Sequence, residues 1–388
     1  MRRNESHGNL PLTRCGLPNS GSKQRIVQGG VMNVRWIAII LWILALSLEA
    51  RAASQEDWSQ LTAKGRSEGV VVVGTNVGHP TFREGLTNLF QKRFGIKVDL
   101  RTQQSSETDA ILIRECAVGR SAVDITIGGN GDAVYRKGCF APIKSHLILP
   151  EVVDTKYWRG GVLKFNDPKR DHLFETIQSI YGWIIVNSDQ IKSKELVLTK
   201  DLLKPQYRGK IAAFDPRTGG AGQNVASYLL HTQGDNYIKE LFLDQKIIYT
   251  RNYQQLGEWI ARGVYAIGLG GTARGIENFR KEGLPLKVVQ LDDLAFVAGS
   301  VGILRLTKDA PHPNASTVFL NWFASKEGQQ LFSRAIGEPS RRTDVSTEGV
   351  PEYLIPDPKV NYFDTYEHEY NFTKHPEIQK KLEAILGR

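Results

Sequence analysis

Residues 210–222 read Lys-Ile-Ala-Ala-Phe-Asp-Pro-Arg-Thr-Gly-Gly-Ala-Gly, and this stretch predicts a strand, a turn and a helix in that order. Four apolar residues, Ile211 to Phe214, predict a short buried strand, which Asp215-Pro216 ends because proline cannot donate to a ladder. The two glycines predict a tight turn, and apolar positions at helical spacing beyond it predict a helix. A strand, a glycine turn and a helix N-terminus present free backbone N–H groups to an anion or polar ligand. An ordinary strand-to-helix connection has the same order, so this stretch alone leaves both interpretations open.

The same order recurs along the chain, which predicts an α/β fold. Strands are predicted at 70–73, 96–100, 124–127 and 266–269, each followed by a turn and a helix. This alternation favours mostly parallel sheets flanked by helices, and ligands of such sheets bind beyond the carboxyl ends of the strands. A further apolar strand at 180–186 is expected to cross between two domains. The expected ligand-binding residues are Thr75, Asn76, Ser105, Ser106, Asn130, Tyr181, Arg217, Thr218, Gly219, Gly220, Thr272 and Arg274.

Structural roles are the alternative for these residues. The hydroxyl and amide side chains are types that cap helices, and Ser106-x-x-Asp109 has the form of a capping box. Arg217 and Arg274 stand at two similar turns, and each is alternatively a surface arginine or one that bridges two domains.

The composition is that of a globular protein large enough for two domains. The chain has 388 residues, of which 41% are hydrophobic and 23% charged. Its eight histidines show no metal-ligand spacing, and neither a Gly-x-Ser-x-Gly elbow nor a phosphate-binding loop motif is present. We therefore expect a binding protein rather than an enzyme, with no resident metal or cofactor.

The first 52 residues predict an export signal. Arg35 precedes an apolar run from Trp36 to Leu48, and Ala50-Arg51-Ala52 resembles a cleavage site. The run is shorter than the about 20 residues of a membrane-spanning helix, and an uncleaved anchor is the alternative. Residues 1–52 are thus expected to be leader and signal peptide, with Met32 as an alternative start. Without them the formal net charge falls from +9 to +4, which gives no reason to expect a nucleic-acid partner.

Two cysteines remain once the leader is removed. Cys116 and Cys139 stand 23 positions apart, and export would place them in an oxidising compartment. We expect a disulfide between them, with a pair of buried thiols as the alternative.

Four stretches of the chain are typical of one family of proteins. They are Val70–Asn76, Asp124-Ile125-Thr126-Ile127, Tyr207-Arg208-Gly209-Lys210-Ile211-Ala212 with Asp215-Pro216, and Trp322-Phe323-Ala324-Ser325-Lys326-Glu327-Gly328-Gln329. With these stretches the chain resembles the periplasmic solute-binding proteins of ABC importers, which have the type II periplasmic-binding fold. It is most similar to the branch that includes ferric-iron, polyamine and phosphonate binders. The resemblance covers about residues 68–345 and specifies the superfamily better than the ligand.

The resemblance implies two lobes joined by two crossing strands, with the ligand held between them. Lobe one is expected to comprise residues 68–178 and 295–345, and lobe two residues 182–290. Residues 346–388 are expected to pack on lobe one as a tail. Closure around the ligand is then the state that a membrane permease recognises. We expect a periplasmic monomer whose partners are a small solute and an ABC permease in the inner membrane.

One departure from the resemblance bears on the ligand. Ferric binders of this branch carry adjacent tyrosines after the strand that matches Ala266–Leu269, where this chain has Gly270-Gly271-Thr272-Ala273-Arg274. Arginine, threonine and backbone N–H groups suit anions, which favours a small organic anion such as a phosphonate, phosphate ester or carboxylate. Two alternatives stay open: ferric-iron transport through a different ligand set, and ligand sensing for a membrane sensor kinase.

Overall fold

A computed structural model describes residues 56–192 and 194–387. The predicted leader, residues 1–52 with Met32 and the apolar run, lies outside this described part. Within it, no helix is both long enough and apolar enough to cross a membrane.

The first third of the described chain alternates strands and helices, as predicted. It begins in helix α1, residues 56–68. There follow β1 (Val70–Thr75), α2 (Pro80–Gly85), α3 (Lys92–Phe94), β2 (Lys97–Thr102), α4 (Ser105–Cys116), β3 (Ile125–Gly128), α5 (Asp132–Arg136) and β4 (Phe140–Ala141). A π-helical segment, Leu86–Gln91, joins α2 to α3. Helix α4 begins at Ser105 with Gln104 at its N-cap, so the predicted capping box with Ser106 as N-cap is wrong.

The middle of the chain contains a second α/β unit. Before it come α6 (Pro150–Val153), β5 (Phe174–Glu175) and β6 (Ser179–Tyr181). The elements of the second unit are β7 (Ile184–Asn187), β8 (Ile211–Phe214), α7 (Ala221–Lys239), β9 (Ile248–Thr250), α8 (Tyr253–Ala261), β10 (Ile267–Leu269), α9 (Ala273–Lys281) and β11 (Leu286–Val289). Strand β8 occupies the residues predicted for it. The strand expected at 180–186 is instead divided at Gly182, where φ is +89° and a Cβ would collide with the Leu294 carbonyl.

The last third returns the chain to the first unit. Its elements are β12 (Phe296–Ala298), β13 (Ile303–Thr307), α10 (Pro313–Ala324), α11 (Lys326–Ile336), β14 (Phe363–Asp364) and α12 (His375–Leu386). Residues 295–307 therefore contain two strands, with Ser300 at a positive φ of 49° between them. Helices α10 and α11 are separate, because the Ser325 hydroxyl accepts the Gly328 N–H and starts a new helix.

These strands form two main sheets and a small third one. The strand order of sheet one is β2-β1-β3-β13-β4, with β5 also paired to β13, and that of sheet two is β11-β7-β10-β8-β9. The small sheet has the order β14-β12-β6. Strand β6 lies where the chain passes from sheet one to sheet two, and β12 where it returns. Both main sheets are mixed rather than mostly parallel, because β13 is antiparallel to its neighbours and β7 to β10 and β11. We call the elements around sheet one lobe one, and those around sheet two lobe two.

Each sheet is covered by apolar helix faces. In lobe one, Phe82, Phe90, Phe319 and Phe332 are fully buried and form edge-to-face aromatic pairs. Strand β1 is a run of four valines, suited to a central strand with both faces covered. In lobe two, α7 and α8 cover the two faces of the sheet with residues such as Leu229 and Ile260.

The C-terminal segment differs from the expectation that it packs on lobe one. Ile378 and Leu382 of α12 are buried in the apolar cluster of lobe two, where α12 packs against α7. Further towards the N-terminus of the segment, the ring of Phe372 stacks edge-to-face on Tyr135 of lobe one. The segment therefore contacts both lobes, because its apolar positions divide between them.

Candidate ligand-binding cleft

A polar cavity of about 200 Å³ lies where the two lobes and the C-terminal segment meet. Lobe one contributes the turn after β3, and lobe two contributes the first turns of α7, which follow β8. The lining residues are Asn130, Asp132, Gln223, Asn224, Ser227, Thr365, Tyr366, Tyr370, Asn371, His375, Pro376 and Gln379. Both lobes therefore present residues from beyond the carboxyl ends of strands, where ligands of α/β sheets bind.

Two hydroxyl groups in this cavity lack partners among the described residues. The Ser227 Oγ and the Tyr370 phenol oxygen are buried, and neither makes a hydrogen bond. A buried polar group without a partner costs free energy, so both hydroxyls are available to a bound solute. A second cavity of about 290 Å³ includes Lys210 and Ala266, which precede β8 and β10, and lies at the opposite end of sheet two.

The lobe-one residues predicted to bind ligand have different surroundings. Thr75 is buried, and its hydroxyl accepts the N–H of Val77 over 3.1 Å. Asn76 is half-buried, and its Oδ1 has no partner within the described residues. Asn130 lines the cavity. Ser105 opens α4 and borders the turn at Gly128, whereas nothing is described of the Ser106 side chain.

A buried arginine missed by the sequence analysis lies beneath the same turn. Arg305, on β13, is only 2% exposed, and its Nε and Nη1 have no hydrogen-bond partner in the described part of the chain. The nearest carboxylate oxygen, Asp109 Oδ1, is 3.8 Å from Nη1. Burial lowers the pKa of Arg305 and raises that of Asp109, while attraction between the two opposes both shifts. A single arginine among apolar strand residues gave no local signal.

The glycine turn of lobe two does not present Arg217 to the cavity. The Arg217 guanidinium donates to Asp215 from Nε over 2.8 Å and from Nη2 over 3.1 Å, and it lies over the ring of Tyr249. The Thr218 hydroxyl donates to the Asp215 carbonyl. These contacts lie within lobe two and do not support the predicted ligand contacts of Arg217 and Thr218.

The two predicted glycines of this turn precede α7. Gly219 is exposed, and Gly220 is the N-cap of α7 without a side-chain cap. The Tyr253 hydroxyl accepts the N–H of Ala221 over 3.1 Å, and its ring stacks on Phe214. A tyrosine from α8 thus binds the N-terminus of the helix that lines the cavity, and no local sequence pattern indicated this contact.

The carboxylate of Glu338 lies beside two of the remaining predicted residues, Tyr181 and Arg274. Glu338 accepts hydrogen bonds from the hydroxyls of Ser179 and Ser300, at 2.7 and 2.9 Å. Burial raises the pKa of Glu338, and the two hydroxyls, the charge of Arg274 and the Tyr181 hydroxyl partly oppose that shift. Arg274 and Tyr181 therefore lie close to one carboxylate.

The turn before Arg274 also opens a helix. Thr272 is the N-cap of α9, without a side-chain cap bond, and is half-buried. The structure brings Asn130 to the cavity and Tyr181 and Arg274 to Glu338, whereas Arg217 and Thr218 are held within lobe two.

Comparison with known proteins agrees with this architecture. Residues 184–335 match the family model described as bacterial extracellular solute-binding protein. A Haemophilus influenzae protein described only as uncharacterised is 26% identical over 338 residues, which is 83% of this chain and 92% of its own length.

Solved structures of periplasmic binding proteins share the fold. AfuA from Actinobacillus pleuropneumoniae, with exogenous fructose-6-phosphate bound, has a TM-score of 0.62 at 19% identity over 81% of this chain and 98% of its own. Iron-bound HitA from Pseudomonas aeruginosa has a TM-score of 0.61 at 16% identity over 81% and 99%. Trichodesmium IdiA (FutA), in complex with iron and citrate, has a TM-score of 0.62 at 17% identity over 82% and 99%. The two-lobed α/β fold and the resemblance to type II periplasmic binding proteins are confirmed.

Proposed function

We propose that this chain is the extracytoplasmic solute-binding component of an ABC importer, and that it delivers a small anionic solute to a membrane permease. The observation that carries the proposal is the polar cavity, which takes its lining from both lobes. A solute there would contact both lobes only when they are together. Its binding energy would then stabilise the closed form, which a permease can distinguish from the open one. The predicted export signal supports a periplasmic location.

The polar groups of the cleft support an anion with a hydroxyl-bearing body. Arg305 of lobe one supplies positive charge beside the turn whose Asn130 lines the cleft. Asp132, Asn130 and Ser227 offer acceptors and donors of the kind that bind hydroxyl groups. The fructose-6-phosphate in the AfuA structure combines these two features, which makes sugar phosphates and related phosphate esters the first solutes to test.

Ferric iron has less support from the tyrosines of this cleft. Burial raises the pKa of Tyr366 and Tyr370, the two tyrosines among the residues that line the cavity, which disfavours the phenolate form that Fe(III) prefers. In the described part of the chain, the one grouping of His, Cys, Asp or Glu donors close enough for a metal is Asp167, Asp171 and His172. These residues precede β5 and are not among the residues that line the cavity.

The test is a thermal-denaturation screen of the purified protein with phosphate, phosphonates, sugar phosphates, carboxylates, polyamines and ferric citrate. A solute that binds the folded state raises the melting temperature. We expect one class of anions to do so, and Ser227→Ala to weaken its binding about tenfold without lowering the melting temperature of the free protein, because Ser227 Oγ has no partner to lose. Ser67→Ala, on the exposed face of α1, is the matched control. A shift with iron or polyamines alone would overturn the anionic solute.

Transport is distinguished from sensing in cells. Where a permease gene neighbours the gene for this chain, its deletion should abolish uptake of the identified solute. Uptake that persists, together with a neighbouring sensor-kinase gene whose output follows the solute, would favour the sensing role instead.

A further inference from the structure

Arg305 is an exception among the deeply buried arginines of the described chain. Arg341 and Arg342 are 4% and 2% exposed, and each donates to a carboxylate, Glu175 at 3.0 Å and Asp344 at 2.9 Å. Arg305 is as deeply buried, yet it makes no such bond to Asp109, and two of its three nitrogens have no partner. Burying a charge is costly unless it is paired and hydrogen-bonded. The guanidinium therefore lacks an acceptor in this state of the protein.

Two glycines, Gly128 and Gly131, leave room for the Arg305 guanidinium. A Cβ at Gly131 would overlap Nη1, and one at Gly128 would lie 2.8 Å from Nη2 and 3.3 Å from the Ser105 Oγ. The guanidinium thus sits directly under the turn that carries Asn130, with the Ser105 hydroxyl beside it. Since any other residue at these two positions would displace the arginine, the turn is built around the guanidinium.

Helix α4 adds further donors at the same place. It has 12 residues, begins at Ser105, and has no side-chain cap from Gln104. Uncapped N–H groups in the first turn attract anions, and the helix dipole reinforces this attraction. Ser105 brings the start of the helix to the unpartnered guanidinium, so two kinds of donor converge beside the turn.

We propose that this place is a subsite for a phosphoryl group, either a phosphate monoester or a phosphonate, bound by Arg305, the Ser105 hydroxyl and the first turn of α4. The proposal rests on the proposed function and specifies the anionic part of the solute. A phosphoryl group has three terminal oxygens and can accept from a guanidinium fork and helix amides at once, whereas a carboxylate has two. Asn130 and Asp132, on the same turn, line the cavity, which places the organic body of the solute there.

The test compares Arg305→Met with Arg217→Ala by calorimetry and thermal denaturation of the purified protein. The probes are inorganic phosphate and fructose 6-phosphate, with fructose and citrate as comparators. We expect wild type to bind a phosphorylated probe and Arg305→Met to lose at least about 100-fold in affinity. Arg217→Ala should stay within about threefold of wild type, because that guanidinium already pairs with Asp215. Arg305→Met should also melt no lower than wild type without probe, since it removes a buried, incompletely paired charge.

A purely structural arginine gives the opposite pattern. Arg305→Met would then melt below wild type and bind the phosphorylated probe with unchanged affinity, which would overturn the subsite. Should Arg305→Met fail to fold, Arg305→Lys keeps the charge but loses the fork, and affinity equal to wild type in that variant overturns the proposal. If citrate binds but neither inorganic phosphate nor fructose 6-phosphate does, the phosphoryl subsite is overturned, whereas the proposed transport of an anionic solute is still supported. If no anion binds, both proposals fail.

Discussion

The side-chain amides of Asn130 and Asn371 donate to each other across 241 positions of sequence, at 2.6 and 2.7 Å. Asn130 belongs to the turn after β3 in lobe one, and Asn371 to the C-terminal segment whose helix α12 packs on lobe two. Both residues line the cavity. The amide pair therefore holds the C-terminal segment to lobe one at the edge of the proposed solute site.

Removing this pair should show that the two amides act together. Asn130→Ala and Asn371→Ala should each lower the free energy of unfolding by about 1 kcal/mol, and the double variant by clearly less than the sum, because both lose the same two bonds. Urea denaturation measures all four proteins, with the exposed Asn361→Ala as control. Strict additivity would mean that the pair does not form in solution.

The carboxylate of Glu338 should make stability depend on pH in a predictable direction. Burial raises its pKa in the folded state above the unfolded value, so folding favours the protonated form. Its contribution to stability is fully present below the unfolded pKa and is lost as the pH rises through the folded pKa. Glu338→Gln imitates the protonated form, because Ser179 and Ser300 can still hydrogen-bond to the amide.

We therefore expect Glu338→Gln to raise the melting temperature at pH 7.5 and to reduce the gain in stability between pH 7.5 and 5. Thermal denaturation across that range measures both effects, with the exposed Glu352→Gln as control. A lower melting temperature at pH 7.5 would show that the ionised carboxylate stabilises the fold.

Two tyrosines offer a matched test of the α7 N-terminus. Tyr253→Phe removes the acceptor of the Ala221 N–H, and Tyr249→Phe removes a 2.7 Å donation to the Phe242 carbonyl. Each should lower the free energy of unfolding by about 1 kcal/mol. Only Tyr253→Phe should weaken solute binding, because residues of the first turns of α7 line the cavity. Calorimetry separates the two variants, and equal affinities would disconnect Tyr253 from the site.

Cys116 and Cys139 are joined by a disulfide between the last residue of α4 and the residue before β4, with Cα atoms 5.7 Å apart. A loop of this length predicts about 3 kcal/mol of stabilisation. Reduction with dithiothreitol should lower the urea midpoint of the wild type. The double variant Cys116→Ala/Cys139→Ala should already have this lower midpoint without dithiothreitol, and adding dithiothreitol should not change it. A wild-type midpoint unchanged by full reduction would contradict the expected stabilisation.

The sequence predicted correctly those elements whose ends are set by neighbouring residues. Strand β8 is found at the predicted residues because Asp215-Pro216 follows it, and proline has no N–H to continue the ladder. The prediction was wrong at residues 180–186, where one apolar run contains the end of β6, in the small sheet, and the start of β7, in sheet two. The chain passes from one sheet to the other at Gly182, where the Leu294 carbonyl, 112 positions later, leaves no room for a Cβ.

The candidate site was harder to predict because its strongest charges are positioned by tertiary structure. Arg217 stands in a conspicuous glycine turn, but Asp215, two residues earlier, takes its donors. Arg305 stands in an inconspicuous strand, and it becomes notable only because β13 pairs with β3 and carries the guanidinium under the next turn. The contact between Asp215 and Arg217 joins residues that are close in sequence, whereas the position of Arg305 under the turn depends on strand pairing between distant residues.

The insertion of β13 between β3 and β4 also sets an order of assembly. Every strand of sheet two lies between residues 184 and 289, so that sheet can form from one continuous segment. Sheet one stays open at its centre until residues 303–307 arrive from beyond lobe two. Such long-range pairing is slow, and a chain that ends before residue 303 would leave two strand edges of lobe one exposed to aggregation. In this protein, the last strand to join lobe one also delivers Arg305, so the proposed phosphoryl subsite is complete only when the fold is.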